Sequence, residues 1–439
     1  MASTQSEPVL IVEPIDALND ESISVRVHGL APHQSATIAA LLHDAGDRTR
    51  WSSTIEVTAD GSGTVDLNTQ APDSGSYTTV DPNGLIWSLT PEAGSSGGRG
   101  AGAGLEPLTL TVTLSVDDDV IATAHATRRA IAENVSVQEV RENGLFINLF
   151  TPDTPTPHPT IVVVGGSGGG FADSLAALYA SHGYAAVSVA YFALDGLPAE
   201  LINIPLEYFE GVIAWITEQP ELNADHLAIS GISRGAELAL LLASRYSIFR
   251  SVVAYVPSGH IWGAVSPSES DDPDAFPSWT YGGKPIPYVA RIRNDAAQPN
   301  DDGVVDLTPA FLTALQNTER ADAATIEVEK INGPVLLISG RDDALWPSGH
   351  FSDQIVTRLR NRGFDFGVES YAYDGAGHTI GPPHTPATVT QGFHPIRKVT
   401  IGYGGNPEAI AHARSDSWPK VLAFLELHVK SRAVRAVQS

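Results

Sequence analysis

The chain has 439 residues, too many for one ordinary hydrophobic core, and its 42% apolar composition is that of a globular protein. Its 51 acidic and 26 basic residues leave a formal net charge of −25, which argues against nucleic acid or an anionic membrane surface as a partner. There is no cysteine, so disulfides, thiolate nucleophiles and Cys-ligated metals are excluded. The opening "MASTQSEPVLIVEPID" has no basic segment and only a short apolar run, so no signal peptide is expected. No stretch approaches the roughly 20 apolar residues of a membrane span. These features predict no membrane insertion and a cytoplasmic location, and they leave the oligomeric state open.

From about residue 8 to 130 short runs alternate in the manner of strands: "SISVRVHGL", "SATIAALLHD", "STIEVTADGSGTVDL" and "LTLTVTLSVDDDVIATAHATR". Turn residues punctuate them, as in "ADGSG" and "APDSGSY". This pattern predicts an N-terminal β-sandwich of the immunoglobulin-like type over residues 1–134. The Gly- and Ser-rich "AGSSGGRGAGAG" (93–104) reads as a flexible loop between two of its strands.

From about residue 135 apolar runs alternate with helical patterns. "TIVVVGG" precedes "FADSLAALYASHG", "AAVSVAYF" precedes "PLEYFEGVIAWITEQ", and "HLAISGIS" precedes "RGAELALLLASRY". "SVVAYV", "PVLLISG" and "HFSDQIVTRLRNRG" follow. Continuous apolar strands with helices between them indicate a parallel sheet covered on both faces. The expectation is an α/β-hydrolase domain over 135–439. Its acidic, Pro-rich segment at about 258–332 fits no repeat unit and reads as an insertion over the C-terminal edge of the sheet.

Within "HLAISGISRGAELAL", Gly231 and Gly235 flank Ser233 between a strand and a helix. G-x-S-x-G in that setting is the nucleophile elbow of an α/β-hydrolase, and the backbone N–H of Arg234 can face a developing oxyanion. The bland alternative is a tight turn. A serine hydroxyl needs a base, and the base needs an orienting carboxylate, in the chain order Ser, acid, His. "GPVLLISGRDDALWPS" supplies the acid just past a late strand; Asp343 is the choice and Asp342 its neighbour, read as a turn or capping residue. "VESYAYDGAGHTIGPP" places His378 on a Gly-rich turn after a strand, one of 14 histidines in the chain. The second oxyanion donor is sought in "VVVGGSGGGF", with Gly168 and Gly169 as candidates and Phe171 as a candidate substrate contact. That run lacks the Lys of a phosphate-binding loop and the spacing of a dinucleotide fingerprint.

These motifs together resemble the acyl-CoA thioesterase and bile acid-CoA:amino acid N-acyltransferase family over nearly the whole chain. "GSYTTVDPNGLIWSLTPEAG" is similar to that family's N-terminal sandwich, where a Gly-Leu-x-Trp run is typical. "ASHGYAAVSVAYF", "LEYFEGVIAWI", "GISRGAELAL", "GPVLLISGRDDALWPS" and "GAGHTIGPP" are similar to its hydrolase half. Carried over by motif, the resemblance implies Ser233 as nucleophile, Asp343 as acid and His378 as base. Acyltransferase members typically carry Cys where this chain carries Ser233, so the resemblance implies hydrolysis of an acyl thioester. The family's usual Lys after the nucleophile is Arg234 here, and its backbone N–H does the same work.

No metal or redox cofactor is implied, and the partner expected is a small-molecule acyl thioester or ester. CoA carries several phosphate charges while the chain is acidic. "GGKPIPYVARIRN" offers Lys284, Arg291 and Arg293 as a CoA-binding patch; pairing of these three with nearby acids is the equal reading. Three rivals to the thioesterase reading stay open: acyl transfer to an amine or alcohol, hydrolysis of a non-CoA ester, and a binding protein with a relic hydrolase half. The filled triad positions speak against the last.

Overall fold

Burial along the strands follows two patterns, and each belongs to one part of the chain. A computed structural model describes residues 7–45, 50–93, 104–264, 275–290, 297–394 and 398–430. The chain divides into two compact units: Met1–Ala132 with Pro382–Val389, and Glu133–Gly381 with Thr390–Ser439. Most of the Gly-rich stretch 93–104, together with Arg291 and Arg293, lies outside the described residues.

In the first unit the long strands alternate buried and less buried residues, as in Ser35–His43 and Leu108–Val116. That period of two is the mark of strands with one face in a core. They form a three-stranded sheet, in the order Val9–Glu13, Ser24–His28, Val65–Asp66. A seven-stranded sheet runs Asp16–Leu18, Asp119–Arg129, Leu108–Val116, Ser35–His43, Arg50–Thr58, Ser74–Gly75, with Thr90–Pro91 also on Arg50–Thr58. Every pairing is antiparallel except that of Asp16–Leu18 with Asp119–Arg129. The late segment Pro382–Val389 belongs to this unit: Ala387 N–H donates to the Trp87 carbonyl at 2.9 Å and Thr388 Oγ1 to the Leu89 carbonyl at 2.6 Å. The boundary at 134/135 drawn from the sequence leaves that segment with the hydrolase half.

In the second unit the central strands are buried throughout. Ala185–Val189 and Val335–Gly340 have no exposed position, because helices cover both faces of their sheet. The eight strands lie in the order Val135–Val140, Ile147–Pro152, Ala185–Val189, His158–Val164, Leu222–Ile232, Phe249–Tyr255, Val335–Gly340, Val368–Tyr373. Ala185–Val189 to Val368–Tyr373 pair in parallel; the first two strands join antiparallel at one edge. The helices Asp173–Ser181, Glu207–Thr217, Arg234–Arg245 and Ser348–Asn361 fall where the helical patterns place them. Arg234–Arg245 is buried from Arg234 to Ala243, so even its polar residues need partners inside the protein. Each of its fully buried leucines, Leu238, Leu240 and Leu242, contributes about 1.5–3 kcal/mol of apolar burial.

The segment between Phe249–Tyr255 and Val335–Gly340 carries its own short elements, including the strand Trp279–Tyr281 and the helices Thr308–Ala314 and Thr318–Ala323. Beyond the sheet lie a short hairpin, Gln391–His394 with Val399–Gly402, and the long helix Pro407–Leu425. Among the described residues no helix is long and apolar enough to cross a membrane.

Candidate active site

Ser233 stands between the last residue of Leu222–Ile232 and the first of Arg234–Arg245. Its φ of 57° and ψ of −122° lie where a non-glycine residue costs on the order of 1–3 kcal/mol. The flanking glycines make so sharp a turn possible. A Cβ on Gly231 would sit 2.1 Å from the Gly235 carbonyl oxygen, and one on Gly235 would sit 2.4 Å from that of Gly165. The Ser233 N–H donates to the Tyr255 carbonyl at 2.9 Å, tying the elbow to the neighbouring strand.

His378 lies with Nε2 2.9 Å from Ser233 Oγ and Nδ1 2.8 Å from Asp343 Oδ2. A carboxylate can only accept, so the proton sits on Nδ1 and leaves Nε2 free to accept from the serine hydroxyl. Asp343 is saturated with donors. Ser348 Oγ donates to Oδ2 at 2.6 Å, and the N–H groups of Leu345 and Trp346 donate to Oδ1 at 3.0 and 3.2 Å. Its side chain is wholly buried, whereas Asp342 is exposed. Only Asp343, of the neighbouring pair, reaches the imidazole.

The loops bearing Asp343 and His378 are stitched together by a later segment. His378 N–H donates to the Tyr403 carbonyl at 2.7 Å, and Asp343 bridges Gly404. Gly404, at φ 74°, has no room for a Cβ, which would fall 1.9 Å from the Asp342 carbonyl oxygen. Arg414, buried in the helix Pro407–Leu425, donates from Nε and Nη2 to the Thr379 carbonyl at 2.9 and 2.6 Å, one residue past His378. Burial lowers its pKa to about 10. Trp346 presents its ring at 75° to the His378 ring, with centroids 6.0 Å apart.

The Gly-rich run follows the strand His158–Val164. Gly166 is the member beside the serine, since a Cβ there would lie 3.4 Å from Ser233 Cβ. Gly169 is corrected as an oxyanion donor: its N–H is directed at the Gly166 carbonyl at 3.3 Å, because the run turns back on itself at a φ of 65°. The N–H groups of Gly168 and Arg234 make no hydrogen bond among the described residues. Phe171 packs under the guanidinium of Arg141, 4.7 Å from the ring centroid. Lys284 is exposed on the short strand Lys284–Pro285 and forms no ion pair among the described residues. Neither is joined to the Ser233 group by a hydrogen bond or ion pair.

Sequence reasoning missed Ser348, Arg414 and the side chain of Arg234. Ser348 carried one faint signal, a hydroxyl after proline at the start of a helical pattern. Arg414 carried none, because a lone arginine in an amphipathic helix reads as solvated.

A mostly parallel, helix-covered sheet with a strand–serine–helix elbow at its centre and a histidine on the loop after the last strand defines an α/β-hydrolase. Residues 204–431 match the family model described as "BAAT / Acyl-CoA thioester hydrolase C terminal", and residues 20–142 match that for "Acyl-CoA thioester hydrolase/BAAT N-terminal region". The chain belongs to this family of enzymes. Among its relatives, mitochondrial acyl-coenzyme A thioesterase 2 of Mus musculus is 30% identical, covering 94% of this chain and 88% of the relative. Acyl-coenzyme A thioesterase 1 of Rattus norvegicus is 30% identical over 98% of this chain and 99% of its own. Acyl-coenzyme A amino acid N-acyltransferase 2 of Mus musculus is 29% identical over 96% and 97%.

Proposed function

We propose that the protein hydrolyses acyl-CoA thioesters through an acyl-enzyme on Ser233. The observation that carries this reading is the continuous hydrogen-bonded chain from Ser233 Oγ through His378 to Asp343. Ser233 Oγ attacks the thioester carbonyl carbon while Nε2 takes its proton. The resulting oxyanion faces the N–H of Arg234 and a donor from the Gly166–Gly168 stretch. Collapse breaks the C–S bond, and the CoA sulfur leaves with the proton from Nε2. Water then gives a proton to Nε2 as its oxygen attacks the ester carbonyl. Collapse of that second intermediate releases the free acid and returns the proton to Ser233. Asp343 keeps the imidazole in the tautomer that each step needs and stabilises the imidazolium.

The first unit, with two largely antiparallel sheets and strands of alternating burial, we read as an immunoglobulin-like β-sandwich. Acyl transfer to an amine is the second reading, favoured by the likeness to an N-acyltransferase at 29% identity. An oxygen ester on Ser233 is intrinsically less reactive toward amines than a thioester on Cys, which favours water as the acceptor. The test incubates the full chain with an acyl-CoA series and simple esters, with and without millimolar glycine or taurine, and identifies products by mass spectrometry. Free acid from acyl-CoA in every case is expected. Dominant amide overturns hydrolysis, and turnover of simple esters alone overturns the CoA substrate. A fluorophosphonate that fails to add to Ser233 removes the nucleophile assignment.

A further inference from the structure

The buried side chains around the elbow include an ion pair with no role in the steps above. Arg234 and Glu237 sit on the first turn of the Ser233 helix, 8% and 0% exposed. Arg234 Nη1 lies 2.8 Å from Glu237 Oε2, and Nη2 donates to the Trp262 carbonyl at 2.7 Å and to Ser278 Oγ at 2.5 Å. Glu237 Oε1 accepts from Trp279 Nε1 at 2.8 Å and from Trp262 N–H at 3.4 Å. Both limbs of the insertion, around Trp262 and around Ser278–Trp279, are therefore bonded to the elbow helix through this pair.

From there the contacts lead to the reacting groups. Trp279 packs at 5.8 Å from Tyr191, whose hydroxyl donates to the Gly165 carbonyl at 2.6 Å, at the entry of the Gly-rich run. Trp262 packs edge-on to Phe311 at 4.7 Å, Phe311 meets Trp346 at 6.0 Å, and Trp346 meets the His378 ring. The pair carries a desolvation cost. Arg234 Nε is buried without a hydrogen-bond partner among the described residues, and burial pushes Glu237 up to about 7 despite its cationic neighbour 2.8 Å away. Removing two charges from water is often repaid less well by an ion pair than by apolar packing.

We infer that the Arg234–Glu237 pair is a positioning device that latches both limbs of the insertion to the Ser233 elbow, holding the oxyanion donors and the base in one geometry. The inference rests on Ser233 being the nucleophile. It also gives the identity of residue 234 a consequence. A lysine places one nitrogen where arginine places two, and cannot reach Glu237 on one side and Trp262 and Ser278 on the other from the same distances. The latch joins parts that act on the reacting carbonyl, so its loss acts on kcat and leaves KM nearly unchanged. A misplacement of about 1 Å in such a site costs up to ~10²-fold.

The test compares wild type, Arg234→Lys and the double variant Arg234→Met/Glu237→Leu, which removes both charges and leaves neither stranded. Melting temperature, kcat, KM and the rate of fluorophosphonate addition to Ser233 are measured on the full chain. The expected result is a double variant at least as heat-stable as wild type, with kcat and labelling rate down about 10- to 100-fold. Arg234→Lys should lie between it and wild type, with KM within about threefold. A kcat within twofold of wild type in the folded double variant, or in Arg234→Lys if the double variant does not fold, overturns the latch. A wild type that is not labelled at Ser233 instead refutes the nucleophile assignment.

Discussion

The sharp turn at Ser233 is made by the glycines next to it in the chain, and the loop of His378 is held by residues far along it. At the elbow, Gly231 closes on Gly235 inside one turn while Gly235 closes on Val164 and Gly165 at the end of the neighbouring strand, and the strain is concentrated at Ser233 itself, with φ at 57°. At the base, the loop Ala376–His378 is fitted against Tyr403, Gly404 and Gly405 and fastened through Thr379 to Arg414. The turn at the proposed nucleophile is therefore set mainly by local geometry, and the loop of the proposed base by tertiary packing. Damage to the first should alter chemistry and strain at one point. Damage to the second should move Asp343 and His378 together.

The largest effect is expected at the elbow. Ser233→Ala should lower kcat by about 10⁶-fold, with an unchanged circular dichroism spectrum. Ser233→Gly should be equally inactive yet more stable than the alanine variant by about 1 kcal/mol, because only glycine is unstrained at that φ. Denaturant midpoints measured side by side decide whether strain is stored there.

Next comes Asp343, the one member of its acidic pair that is bonded to His378. Asp343→Asn should cost about 10⁴-fold in kcat by presenting the wrong tautomer, while Asp342→Asn stays within a few-fold. A larger loss at Asp342, at equal melting temperature, would reassign the acid.

The base loop is tested by Gly404→Ala. The added Cβ meets the Asp342 carbonyl oxygen at 1.9 Å, so backbone must shift. A loss of about 10²-fold in kcat/KM, with a lower melting temperature, is expected. Gly381→Ala, where a Cβ meets nothing within 4 Å, is the neutral control on the same stretch of chain. Equal behaviour of the two variants would show that the loop is not held by packing.

The smallest effect is expected at Ser348. Ser348→Ala removes one of the donors to the Asp343 carboxylate at 2.6 Å, leaves the other two and the imidazole, and should lower kcat about 3- to 10-fold. No change in kcat or in the pH–rate profile would make that bond merely structural.

The same contrast explains what could be read from the residues alone. The elbow is legible because strand, Gly-x-Ser-x-Gly and helix are contiguous, and each glycine is needed within the motif. The central strands are legible because burial on both faces demands unbroken apolar runs. Asp343 and His378 follow from chain order and from the strands before them. Tyr403, Gly404 and Arg414 do not, because no local pattern says which loop they support. The Arg234 side chain is not legible because only its backbone N–H has a place in the motif. Glycine's freedom makes Gly169 a candidate donor, yet the turn that glycine permits directs its own N–H to the Gly166 carbonyl.

The composition of the first unit has a consequence for biosynthesis. Its last segment, Pro382–Val389, is translated some 250 residues after Ala132. At about 5–20 residues per second the ribosome needs roughly 12–50 s to cover that distance. The N-terminal strands emerge first but cannot complete their unit until nearly the whole chain has been made. Meanwhile the Trp87 and Leu89 carbonyls lack the donors that Ala387 and Thr388 later supply. A nascent chain stalled before residue 382 should therefore present an N-terminal unit more open to protease than the finished protein does. A truncated gene ending after Ala132 should give the same incomplete product, so the unit is not a portable cassette.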